Sequence, residues 1–520
     1  MSNVKEIERA ELHKTIWAIA NELRGSVDGW DFKSYVLGML FYRYISENLT
    51  NFINENEHEG GNADFDYATL SDEEALTIKD QIVEKKGFFI KPSELFSTVV
   101  KGCEDNKDLN ITLSNIFSNI ESSANGTNSQ KAIEGLFNDF KVDDKKVLGK
   151  TLEDRQKKLS KLMLKIGSMN LGSYQDNTID AFGDAYEYLM GMYASNAGKS
   201  GGEYFTPQEV SELLAKITLV GKTEVNKVYD PACGSGSLLL KYAKLLGKDN
   251  VRYGYFGQEL NITTYNLCRI NMFLHDIPYD KFDIAQDDTL LKPQHWDDEP
   301  FEAIVSNPPY STKWEGSDNV TLKSDERFAP AGVLAPKSKA DLAFVMHCLS
   351  WLAENGTAAI VCFPGVMYRG GAEQKIRKYL IDNNFVDCII QLPSNLFFGT
   401  SIATDILVLK KSKKDNNTLF IDASKECVKV TNSNKLTDEN IDRILQWYID
   451  YTDVQYVARV VSRDEIAEQS YNLSVSTYVE KEDLREKVDI KVLNAEIEEI
   501  VKRENVLRNE INKIIAELES

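Results

Sequence analysis

The chain has 520 residues, 42% of them hydrophobic, and a formal net charge of −21. That suffices for one large core or for two to three domains, and it excludes a disordered or fibrous chain. No apolar run approaches the roughly 18 residues that cross a bilayer. The start, Met1-Ser2-Asn3-Val4-Lys5-Glu6, leads into charged sequence without a signal peptide's apolar stretch, so a cytoplasmic protein with no membrane contact is expected. Seven cysteines, none in a Cys-x-x-Cys pair, and five histidines are scattered, which argues against a disulfide framework and against any bound metal. Chains that grip nucleic acid alone usually carry a basic surface, because phosphate neutralisation supplies most of the non-specific affinity. Such acidity either serves solubility alone or leaves that grip to a local patch or a partner.

Residues 1–165 read as an α-helical N-terminal domain. Phe32, Tyr35, Val36, Met39, Leu40, Arg43 and Tyr44 fall at helical spacings of three and four, a pattern that signals packing. The polar run Glu121-Ser122-Ser123-Ala124-Asn125-Gly126 reads as a loop between helices. A second region, 166–470, changes character from about residue 225. Short apolar strands are expected at 227–229, 253–258, 282–285, 303–305, 357–362, 387–391 and 405–409. Helices are expected at 238–246, 265–274, 342–352 and 372–381. This alternation predicts an α/β fold, a doubly wound, Rossmann-like, mostly parallel sheet. The last two strands lack a long connecting helix, so they are expected as an antiparallel edge pair. Ligands of such sheets bind beyond the carboxyl ends of the strands, near the switch in strand order. In the remaining region, 471–520, Leu493, Ile497, Ile500, Leu507, Ile511, Ile514 and Leu518 form a heptad stripe broken at Glu504. It reads as a helical, coiled-coil-like extension, docked on its own chain or paired with another.

Three motifs carry chemistry. Asp230-Pro231-Ala232-Cys233-Gly234-Ser235-Gly236-Ser237 lies between a strand and a helix. Gly234 and Gly236 permit a tight turn that brings backbone N–H groups to a ligand at the helix N-terminus. Leu239 stands where a dinucleotide fingerprint needs a third glycine, so that reading weakens. Glu259 ends the next strand, 25 residues beyond Gly234, where an acid can accept from ribose hydroxyls. Asn307-Pro308-Pro309-Tyr310 follows the strand at 303–305. The two prolines fix φ and make a rigid turn. The Asn307 side-chain oxygen and the Pro308 carbonyl can accept both hydrogens of a planar amino group. This leaves the nitrogen lone pair free to attack an electrophilic methyl, and Tyr310 can stack on a base.

Asp-Pro-x-Cys-Gly-Ser-Gly followed by Asn-Pro-Pro-Tyr resembles the amino-methyltransferases that act on adenine in DNA. Further stretches in the same order are Leu23-Arg24-Gly25, Phe41-Tyr42-Arg43-Tyr44, Gly202 to Pro207, Arg369-Gly370-Gly371, and Phe397-Phe398-Gly399-Thr400 running on to Ile406-Leu407-Val408-Leu409-Lys410. They cover roughly residues 15 to 410 and resemble the methylation (M) subunit of type I restriction–modification systems. The resemblance implies transfer from S-adenosyl-L-methionine to the N6 amino group of adenine in duplex DNA, with the base flipped out of the helix. It implies that Glu203, Tyr204, Phe205, Thr206, Pro207 and Gln208 form a lid at the methionine end of the cofactor. Asp230 and Gly234 to Ser237 would sit beneath that end, Glu259 on the ribose, and Asp288 near the adenine ring. Asp287 stands where the family often has glycine, which leaves open which aspartate reaches the ligand. It further implies a specificity (S) subunit that reads the sequence, a second M subunit, and a restriction/translocase (R) subunit, with the C-terminal helical region joining the assembly. No G-x-x-x-x-G-K-[ST] loop is present, so translocation would belong elsewhere. Other readings are a protein-glutamine methyltransferase, a cofactor-binding scaffold, and a self-contained restriction–methylation enzyme. Neither of the first two explains the helical N-domain together with the Asn307 turn, and the last needs more chain.

Overall fold

The computed structural model describes residues 12–14, 16, 29–169, 181–196, 206–397, 400–431, 433–481 and 490–519. The helical region opens with α1 (Gly29–Glu59), followed by α2 (Leu109–Ser123) and α3 (Leu152–Ser168). The stripe expected for packing is buried at Tyr35, Val36, Met39, Leu40 and Tyr44; the side chain of Phe32 lies outside the described residues. Arg43 from the same stripe turns its guanidinium onto the carbonyls of Ile166 (2.6 Å) and Met169 (2.9 Å), serving the unpaired end of α3. The loop expected from residue 121 begins later, because α2 runs to Ser123. Ile116, Phe117 and Ile120 keep that helix on the core, and the Ser123 hydroxyl donates back to the Ile120 carbonyl at 2.6 Å.

Two further helices, α4 (Ala181–Asn196) and α5 (Gln208–Thr218), lead into the sheet. The chain then alternates through β1 (Val228–Asp230), α6 (Ser237–Leu246), β2 (Tyr255–Glu259), α7 (Ile262–Leu274), β3 (Phe282–Gln286), β4 (Phe301–Ser306), α8 (Asp341–Trp351), β5 (Leu352–Cys362) and α9 (Ala372–Asp382). It continues through β6 (Val386–Gln391), β7 (Asp405–Lys410), β8 (Asn417–Asp422), a hairpin of β9 (Val428–Val430) and β10 (Ser433–Lys435), α10 (Asp438–Asp450) and β11 (Ala458–Ser462). The nine-stranded sheet has the order β11-β8-β6-β7-β5-β4-β1-β2-β3. From β5 to β3 neighbouring strands are parallel, and β7 runs antiparallel between β5 and β6.

The expected antiparallel pairing of β6 and β7 is present, but it is internal. β8 adds to β6 in parallel and β11 closes that side antiparallel to β8. Alternate residues explain the two covered faces: Ala303 and Val305 join the core with the helical region, whereas Ile304 joins the core beneath α8 and α9, as does Phe301 across a shift in register. A strand buried on both faces reads as a continuous apolar run, as β4 and β7 do.

The helical region is fastened to α7. Arg269, 2% exposed, donates to the carbonyls of Lys131 and Glu134, both at 2.9 Å. Asp139 accepts from Thr263 (2.9 Å) and Asn266 (3.0 Å). The chain divides into two compact units, Met1–Val479 and Glu480–Ser520. The second contains α11 (Ile490–Leu518), a 29-residue helix none of whose residues is buried. Among the described residues no helix is long and apolar enough to cross a membrane.

Candidate functional site

Strand order reverses between β1 and β4, and the expected chemical motifs meet at the carboxyl ends of β1, β2 and β4. Gly236 caps α6 with φ of +80°, and a Cβ there would stand 2.8 Å from Cys268 Sγ; only glycine serves this turn. Glu259 ties the end of β2 to the turn. Its Oε2 accepts from Gly234 N at 3.1 Å and its Oε1 from Asn261 N at 2.8 Å. A carboxylate offers about four acceptor positions, so lone pairs remain for hydroxyl donors. Burial pushes the Glu259 carboxyl up from its usual range. The Ser235 and Ser237 hydroxyls, both buried, lie 3.1 Å apart, and Asn271 donates to the Ser235 carbonyl at 2.8 Å.

Asp230 is fully buried. Its Oδ1 accepts from Ala232 N and Ser306 Oγ, each at 3.0 Å, and thereby couples the ends of β1 and β4. Its Oδ2 has no partner. Burial, with a smaller contribution from the Glu259 charge, pushes its pKa up to about 7.

The Asn307 turn is held at three points. Asn307 Nδ2 donates to Thr206 Oγ1 at 3.0 Å, and the Tyr310 hydroxyl donates to Asn307 Oδ1 at 2.6 Å. Ser311, at φ +51°, donates its N–H to both oxygens of Asp341, at 3.2 and 3.1 Å. Pro308 is buried and Pro309 half-buried, so the turn is rigid without being sealed. Pro207 precedes α5, and Gln208 opens it with both amide atoms buried and unpartnered. Glu203, Tyr204 and Phe205 lie outside the described residues.

Of the two aspartates after β3, Asp288 turns one oxygen inward, accepting from Leu290 N (2.9 Å) and Leu291 N (3.2 Å). Asp287 accepts from Asp288 N at 2.9 Å and lies 3.7 Å from Lys292 Nζ. Thr289 joins this loop to the glycine turn through the Pro231 carbonyl, at 2.6 Å.

Two positioning groups escaped the sequence reading. One is Asp341, a helix-opening acid with nothing local to show that it reaches back thirty residues. The other is Arg327, 1% exposed, which donates to the carbonyls of Thr289 and Leu290, both at 2.8 Å, and pairs with Asp325 at 2.7 Å. Asp283, His295 and Asp298 also cluster closely enough to suggest a cation. Both ring nitrogens of His295 are already engaged, Nδ1 with Asp298 at 2.9 Å and Nε2 with the Gly257 carbonyl at 3.0 Å. His295 therefore ties Asp298 to β2, and Asp283 pairs with Lys131.

Residues 177–487, more than half of the chain, match the model of the N-6 DNA Methylase family, and residues 12–166 match the HsdM N-terminal domain. The chain belongs to the N-6 DNA methylase family. It is 51% identical to the type I restriction enzyme MpnII methylase subunit of Mycoplasma pneumoniae, across all of this chain and 98% of that one. It is 29% identical to the MjaVII methylase subunit of Methanocaldococcus jannaschii, across 98% of this chain and 85% of that one. Among solved structures, the type I restriction–modification methyltransferase subunit of Streptococcus thermophilus superposes with a TM-score of 0.82 at 36% identity, covering 91% of this chain and all of the other. This N-6 DNA methylase is accordingly an adenine-specific DNA methyltransferase of the type I methylase-subunit class.

Proposed function

We propose that the chain transfers a methyl group from S-adenosyl-L-methionine to the N6 amino group of an adenine flipped out of duplex DNA. The observation that carries this is the Asn307 turn, anchored by Thr206, Tyr310 and Asp341 beside the buried Asp230–Ser306 link. The residues present suit the donor. Gly234 to Ser237 open a helix N-terminus, Glu259 keeps acceptor capacity for a ribose, and the bare Asp230 Oδ2 and unpartnered Gln208 amide are polar atoms awaiting complements. When bound, that donor supplies an electrophilic methyl on a positively charged sulfur.

The protein's own part is positioning. Asn307 Oδ1 and the Pro308 carbonyl accept the two amino hydrogens, which leaves the nitrogen lone pair directed at the methyl. Tyr310 stacks on the base, and Asp287 or Asp288 serves the adenine ring of the donor. Flipping costs a few kcal/mol, offset by stacking and edge contacts in the pocket.

The division of labour follows the chain: a helical part to about residue 165, a catalytic part to about 470, and a C-terminal extension for assembly. A specificity subunit selects the sequence, a second M subunit completes the methylase, and a restriction/translocase subunit joins it for cleavage. The net charge of −21 and the uncovered apolar stripe of α11 both suit a chain that works with partners.

The test is methyl transfer from labelled donor to duplex DNA by the full-length chain with its co-purified partner. Asn307→Ala is expected to lower the rate roughly 10²–10³-fold with donor affinity and melting temperature retained. An unchanged rate would remove Asn307 from the chemistry.

A further inference from the structure

An acidic chain that acts on a polyanion needs a local answer to its own charge, and the carboxyl edge of the sheet contains one. β8 runs parallel to β6, so its end at Asp422 lies on the same edge as Asn307. The β9–β10 hairpin follows directly. It is pinned from below: Asn434 N donates to the Asn395 carbonyl at 2.9 Å and Asn434 Nδ2 to the Ser394 carbonyl at 2.8 Å. It is also pinned from the side, because Glu209 in the first turn of α5 accepts from the backbone of Leu436 and feels the charge of Lys435. The hairpin therefore stands beside the start of α5, within a few residues of Thr206, the partner of Asn307.

Its two faces are set by register. Lys429 opposes Asn434, while Val428 opposes Lys435 and Val430 opposes Ser433. Directly opposed residues share a face, so Lys429 lies on the face of Asn434, which meets the loop at 394–395, while Val428, Val430, Ser433 and Lys435 share the other. Val428 and Val430 are 43% and 47% exposed, and Lys429 and Lys435 are exposed as well. The acid at the base of the hairpin, Glu426, is neutralised by Arg443 at 2.7 Å. Lys313 is exposed three residues past Tyr310. Its segment is tied by Trp314 N to the Lys337 carbonyl (3.0 Å) and Ala340 N to the Thr312 carbonyl (2.9 Å).

We propose that Lys429 and Lys435 of β9 and β10, with Lys313 next to the Asn307 turn, contact the phosphate backbone of the duplex around the extruded adenine. This rests on the reading of DNA as substrate given above. The hairpin reaches the start of α5 through Glu209 and Leu436, to the side of the Asn307 turn, so it meets backbone that flanks the target base. Lysine paired with small apolar residues suits phosphate and sugar; the centre of a protein–protein interface is depleted in lysine.

The experiment uses the full-length chain with its co-purified partner, a fluorescent duplex and a salt series from 50 to 200 mM. Lys429→Gln/Lys435→Gln is expected to weaken duplex binding about tenfold at 100 mM salt. Its plot of log affinity against log salt should be shallower by about 1.8, two phosphate contacts at roughly 0.9 each. Lys313→Gln should make it shallower by about 0.9. Donor affinity and kcat at saturating duplex stay within twofold, and Lys429→Arg/Lys435→Arg restores binding. An unaltered slope overturns the proposal, and so does loss of co-purification with an intact slope, which would mark a protein contact. A wild-type complex that neither binds nor methylates duplex refutes the substrate reading itself, an outcome distinct from an active wild type with indifferent variants.

Discussion

Asp230 has one oxygen in hydrogen bonds and the other bare, in a place that water does not reach, and its pKa stands at about 7. Between about pH 4 and pH 7 the folded chain holds a proton that the unfolded chain has released. Folding therefore becomes less favourable as pH rises through that window, by on the order of 4 kcal/mol for a shift of this size. Asp405, buried at the carboxyl edge near Asp422, is likewise pushed to about 7 and acts with the same sign. The melting temperature of protein without added donor is thus expected to fall from pH 5.5 to pH 8, and Asp230→Asn to remove part of that fall. A cationic ligand end held over the turn favours the ionised carboxyl. Donor affinity measured by titration calorimetry should then rise with pH through 7 in the wild type and stay flat, about tenfold weaker above pH 7, in Asp230→Asn. Equal pH profiles for the two proteins would show that Asp230 plays no part in donor binding. At Thr206 the resemblance implies a cofactor contact, and its hydroxyl also accepts from Asn307. Thr206→Val is expected to lower kcat about tenfold with donor affinity changed less than threefold, and Thr206→Ser to restore it. The opposite split would show that Thr206 acts mainly on the cofactor.

Among the elements, the junction of β1 and α6 tolerates least. In Gly236→Ala the side chain meets a left-handed backbone and the sulfur of Cys268, at a cost of about 2–3 kcal/mol. The expected result is a lower melting temperature and lost donor binding, checked by thermal denaturation and calorimetry. Residues 225 to 410 were legible as alternating strands and helices because each strand is a short apolar run between turn signals. Gly234, Gly236, Glu259 and Asn307 were legible for a related reason: their chemistry is written in local spacing. The outer strands at 417–422 and 458–462 are bounded by polar residues and escaped notice. That β7 inserts between β5 and β6 could not be read either, because periodicity identifies a strand without naming its neighbours. The bonds from Asn307 to Thr206 and from Ser311 to Asp341 span 101 and 30 residues, and no local pattern encodes them.

At the scale of the whole molecule, the helical region and the sheet share one core, whereas residues 480–520 form a unit of their own. The apolar residues of α11 are uncovered, Leu518 at 81% exposure and Ile500 at 64%, a surface suited to pairing with another helix. Removal of residues 480–520 is expected to leave the melting temperature of the body within about 2 °C, since they form a compact unit of their own. Co-purification of the specificity subunit should be lost. If the truncated chain still assembles, the joining surface lies elsewhere.

The bond from the Tyr310 hydroxyl to Asn307 Oδ1, 2.6 Å long, bears on how the proposed reaction ends. Adenine brings two N–H bonds to the pair of acceptors, and N6-methyladenine brings one. A buried acceptor left without a hydrogen costs about 1–3 kcal/mol, so the methylated base is held less firmly than the base that entered. In the proposed reaction, the Tyr310 hydroxyl, which holds Asn307 Oδ1 when no base is bound, keeps that acceptor satisfied once the product has left.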